Sequence, residues 1–91
     1  MSDNIERRFV VVAKDDEGRI FAVISNSGRN GGEDNHTYKT MGGAQRRLRD
    51  KALEDNIVRA AIFEIKMDVV LDGQCEAGSR AVRAARRAGW T

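Results

Sequence analysis

The sequence predicts an α+β domain: a small, mostly antiparallel sheet of three to five strands with two helices packed on one face, in the order β-β-(β)-α-β-(β)-α. Three observations lead there. Two β-branched apolar runs, 9–13 and 19–25, flank an acidic turn. Two later stretches, 41–54 and 77–88, repeat small apolar residues at helical spacing. Between those stretches, residues 57–67 place Ala61, Phe63, Ile65 and Met67 on one face and Val58, Ala60 and Ile62 on the other.

Phe9-Val10-Val11-Val12-Ala13 is a strand because branched side chains suit a pleated surface. Asp15-Asp16-Glu17-Gly18 turns the chain, with Gly18 free to take positive φ. Residues 19–25 return as the second strand of a hairpin, and both strands are apolar on two faces or nearly so. Residues 26–36 contain no apolar side chain and are expected to be a mobile polar loop. Thr37-Tyr38-Lys39-Thr40 reads as a short strand pairing with the second one.

Thr40 suits a helix N-cap, and Met41, Ala44, Leu48 and Ala52 form one apolar stripe behind it. Residues 57–67 then form a strand with Glu64 and Lys66 near its end, so its first half is expected to lie centrally in the sheet. Val69-Val70-Leu71 is a further short strand candidate, closed by Asp72-Gly73. In the last helix Ala77, Ala81, Ala84 or Ala85, and Ala88 share a face, and Gly89 fits the position just after its end.

Ninety-one residues make a single domain, 1–91, with 41% apolar and 33% charged side chains. No apolar run is long enough for a bilayer-spanning helix, and a polar start with one cysteine leads us to expect a cytoplasmic protein with no membrane partner. The net charge of +2 divides unevenly. Residues 1–45 hold six Lys/Arg against seven Asp/Glu, a net of −1, and residues 46–91 hold ten against seven, a net of +3.

No catalytic residue and no cofactor is expected. Cys75 and His36 are the only Cys and the only His, and nothing in their spacing joins them as nucleophile and base. One of each falls short of a zinc ligand set, and no metal ligand is assigned. The segment 28–32 is glycine-rich, yet it fits neither the P-loop nor the dinucleotide pattern.

The strongest signal is arginine. Arg46, Arg47 and Arg49 crowd the first helix, while Arg80, Arg83 and Arg87 form a stripe at i, i+3 and i+7 on the second. Guanidinium groups bind carboxylates and phosphates in bidentate geometry. With Trp90, which either stands exposed at the end or folds back to pack on the domain, they form a candidate binding surface, joined by Arg29, Asn30 and His36 of the loop. Such a surface suits another protein or a ribonucleoprotein complex, or DNA or RNA; a homodimer also fits.

The stretch Gly18 to Ala52, with Tyr38-Lys39-Thr40 leading into Ala44, resembles AP2-type and integrase arm-type DNA-binding domains. That resemblance implies three antiparallel strands before a helix and a sheet that reads DNA. Here the basic residues on or beside those strands are Lys14, Arg19 and Lys39. In organisation, the chain is similar to small phage and mobile-element accessory proteins of the anti-CRISPR type. This second resemblance implies an inhibitor that acts by binding a host complex. The expectation is therefore a non-enzymatic binding protein directed at another protein, with nucleic-acid binding through the arginine-rich helix faces as the alternative.

Overall fold

The computed structural model describes residues 5–24, 36–68 and 74–91. Five elements follow one another: β1 (Ile5–Asp15), β2 (Ile20–Ala22), α1 (Met41–Ala52), β3 (Ile57–Asp68) and α2 (Gln74–Arg87). They form a three-stranded antiparallel sheet of order β2-β1-β3 with two helices, an α+β architecture as expected.

The hairpin between β1 and β2 is built by Asp15. Its backbone N–H donates to the Arg19 carbonyl, and its Oδ1 accepts from the N–H groups of Glu17 and Arg19. Gly18 closes the loop at φ 86°, a left-handed conformation open to glycine without steric cost. The Asp16 N–H ties this turn to the Asn56 carbonyl at the start of β3.

The helices lie on opposite faces of the sheet, which corrects the expected one-face arrangement. Val10 and Val12 join Ile65, Met67 and the α2 residues Ala77, Ala81 and Ala85 in one core. Val11 and Ala13 join Val23 and the α1 residue Ala44 in the other. Successive strand residues point to opposite faces, so a strand buried on both sides needs a cover on each. All four are fully buried in β1. That makes β1, not β3, the central strand.

Among the described residues β3 lies at an edge of the sheet, and its early apolar residues have a local cause. The register slips between Lys14 and Asp15, whose partners are Arg59 and Ile57. Val58 is the extra residue of this bulge and is mostly exposed. The slip reverses the alternation, so Ile57 packs beneath α1 together with Ala60 and Ile62.

Tyr38 pairs with β1 and not with β2. Its N–H and carbonyl exchange hydrogen bonds with those of Phe9 at 2.8 and 3.0 Å. Along the same flank of β1, the Val23 N–H donates to the Val11 carbonyl. β2 and Tyr38 therefore occupy one line beside β1. The candidate strand 69–71 and the proposed loop, apart from His36, lie outside the described residues.

Both helix ends carry the caps that the sequence announces. The Gly43 N–H donates to Thr40 Oγ1 at 3.1 Å. At the end of α2, Gly89 takes φ 100°, its N–H donates to the Arg86 carbonyl, and the Trp90 N–H donates to the Ala85 carbonyl. This turn returns Trp90 to the core against Ala85.

Candidate functional site

The arginines of α2 do not form one free stripe. Glu76, in the helix's first turn, lies 3.3 Å from the Arg83 guanidinium and 3.8 Å from that of Arg80. Arg80 also donates to the Lys66 carbonyl of β3 at 3.1 Å. The sequence offered this signal, since Glu76 stands four and seven residues before these arginines. Among the described residues, Arg86 and Arg87 have no acidic partner.

Trp90 is not an exposed anchor. It is 4% exposed, its ring meets Phe63 edge-on at 5.8 Å, and the Arg59 guanidinium lies 4.3 Å from its centroid. The alanine face of α2 contributes little bulk, and the indole fills what remains.

On α1, Arg46 and Arg49 are exposed while Arg47 is half-buried. The face turned to the sheet runs through Ala44, Arg47, Leu48 and Lys51, whereas Met41 is 43% exposed. Long cationic stems can lie along apolar surface with their heads at its rim. Lys51 does so over Phe21, with Nζ 5.4 Å from the ring centroid, and it also pairs with Glu54 at 3.0 Å. Among the described residues Arg47 has no ion-pair partner, and its Nε makes no hydrogen bond. Burial raises the pKa of the Tyr38 phenol, against the lowering influence of Arg47, while Asp50 adds to the rise.

These positions converge on the side of the sheet formed by β2. Toward α2, a concavity of about 550 Å³ is lined by Phe21, Ala22, His36, Ser79, Val82, Arg83 and Arg86. Gly78 lets the helix lie close there: a Cβ at this position would sit 3.2 Å from both the Ala22 Cβ and the His36 Cγ. His36 Nδ1 is buried without a hydrogen-bond partner among the described residues. Toward α1, a smaller concavity of about 230 Å³ is lined by Phe21, Val23, Ile24, Arg47 and Lys51.

Of the residues read from the sequence, the structure brings Arg83 and His36 to one flank of β2 and Arg47 to the other. It leaves Arg46 and Arg49 in solvent, and Arg29 and Asn30 lie outside the described residues. Sequence reasoning missed Phe21, Val82 and the pairing of Arg86 with this flank. Their approach is tertiary, and no local spacing announces it. Among the described residues no group of three His, Cys, Asp or Glu is placed to hold a metal, and no helix is long and apolar enough to cross a membrane. Neither a protein family, nor a curated protein, nor a solved structure matches this chain.

Proposed function

We propose that this chain is a non-enzymatic binding protein whose target is an acidic segment of another protein, engaged at the β2 side of the sheet. The observation that carries this reading is the pair Arg47 and Arg86, guanidinium groups without an acidic partner among the described residues, one on each flank of β2. Between them lie the apolar surfaces of Phe21, Val82 and the partly exposed Ile24. Arginine beside apolar surface is the composition of protein interfaces. Inhibition of a host complex by such docking is the form this function takes if the chain acts as an accessory protein.

Nucleic-acid binding is the second reading. Arg80, Arg83, Arg86 and Arg87 surround a further concavity of about 550 Å³ on α2. A phosphate backbone favours a row of free cations, and Glu76 occupies two of these four.

The test is a titration of labelled poly-glutamate and of mixed-sequence duplex DNA at about 50 and about 200 mM salt. The wild-type chain is compared with an Arg47→Ser/Arg86→Ser variant. Binding of poly-glutamate that the variant weakens by at least about tenfold, or 1.4 kcal/mol, supports the acidic-protein reading. Preferential, steeply salt-dependent binding of the duplex would replace it with the nucleic-acid reading.

A further inference from the structure

We propose that the outer edge of β2 accepts an extended acidic peptide as an added strand of the sheet. This rests on the reading above and specifies how the partner is held. Arg19 and Val23 use their backbone groups toward β1, as shown by the bonds from Asp15 N–H to the Arg19 carbonyl and from Val23 N–H to the Val11 carbonyl. Antiparallel pairing alternates, so the N–H and C=O groups of Ile20 and Ala22 point away from β1. Among the described residues no strand pairs with that edge.

The opposite edge of the sheet is guarded along its second half. Along β3 the same alternation turns Glu64 and Lys66 outward, and both are exposed charges. Arg7 clamps Glu64 at 2.7 and 3.2 Å, and Arg80 already occupies the Lys66 carbonyl. At β2 the outward positions are Ile20 and Ala22, with neither charge nor proline to discourage pairing.

The flanking chemistry selects the occupant. Side chains of an added strand alternate between the two faces, as in other strand-addition complexes. On one face they meet Val82 and Arg86; on the other they meet Phe21 and Arg47. Carboxylates on either face therefore find a guanidinium, and small apolar residues find a floor. A second copy fits less well, because pairing two β2 edges brings the cations of both copies to the same seam.

The experiment uses the full chain and an end-blocked octapeptide of alternating glutamate and valine, followed by fluorescence anisotropy. Two changes remove main-chain bonds, one from each side of the interface. Ala22→Pro deletes an outward N–H while leaving the donors toward β1 in place, a position where edge strands tolerate proline. Methylation of every peptide nitrogen deletes the donors on the other side and leaves the protein untouched. We expect each change to weaken binding by at least about tenfold. Undiminished binding of the methylated peptide would overturn strand addition and leave the acidic-partner reading standing. Failure of both the octapeptide and poly-glutamate to bind would overturn both. Sedimentation showing a dimer that Ala22→Pro dissolves would identify a second copy as the occupant and overturn the acidic peptide.

Discussion

Replacement of Trp90 by alanine tests the packing of the α2 core most directly. The indole is 4% exposed and stands two residues beyond the cap of α2, against Phe63 and beneath Arg59. Burying an aromatic side chain of this size removes roughly 200 Å² from water, worth about 5 kcal/mol at about 25 cal/mol per Å². Residual contacts of the alanine and partial collapse reduce the loss to about 3–5 kcal/mol. Collapse is limited here, because the α2 side chains facing the gap are Ala77, Ala81 and Ala85, which cannot swing into it. A domain of this length has a total stability of about 5–14 kcal/mol. The variant therefore keeps a small margin and melts more than about 10 °C lower. The assay is urea unfolding followed by far-UV circular dichroism, since Trp90 is the sole tryptophan and its fluorescence disappears with it. Trp90→Phe should recover part of the loss. A change below about 1 kcal/mol for Trp90→Ala would refute the reasoning, because no core tryptophan is removed so cheaply.

Two further predictions concern the turns and caps. Burial pushes the Asp15 carboxyl up, but hydrogen bonds from the Arg19 backbone, the Arg19 side chain and the Glu17 backbone, with the attraction of Arg19, together hold it below the ordinary carboxylate range. Its folded pKa is thus the lower one, so its contribution is present above the unfolded value of about 3.9 and disappears as pH falls through the folded value. Unfolding curves from about pH 7 to about pH 2 should show wild type and Asp15→Asn converging in acid, and a constant gap would contradict this assignment. At Gly42, where an added Cβ meets nothing within 4 Å, alanine should stabilise α1 by about 0.5–1 kcal/mol. The same substitution at Gly89, with φ 100°, should cost about 1–2 kcal/mol, and equal signs at the two sites would contradict the backbone assignments.

Much of the fold is legible because its signals are local. The hairpin turn at Asp15–Gly18, the Thr40 cap and the Gly89 terminator each depend on residues within a few positions of one another. The layer arrangement depends on more distant contacts. The apolar character of both faces of β1 was visible, and it requires two covers; only the sheet order reveals that the helices divide them. The stripe through Met41 and Ala52 misplaced the inner face of α1, because Arg47 and Lys51 bury their stems and hydrophobicity alone scores them as outward. The strand assigned to Tyr38 was real as a bridge, but its partner Phe9 is 29 positions away in sequence, beyond any local rule. The candidate site was legible as a set of arginines. Their division between neutralised and free depends on Glu76 and on how β2 meets the two helices.

The shared flank of β1 also bears on how this scaffold tolerates change. Val23 and Tyr38 bond to Val11 and Phe9, which are two positions apart, so about 7 Å of strand separates the two anchors. The chain spends fourteen residues, 24–37, getting from one to the other. The sheet thus sets the separation of the two residues between which this stretch runs. A proline at Phe9 would remove the donor to Tyr38 at one of these anchors, while the bond from Val23 to Val11 would still hold the other.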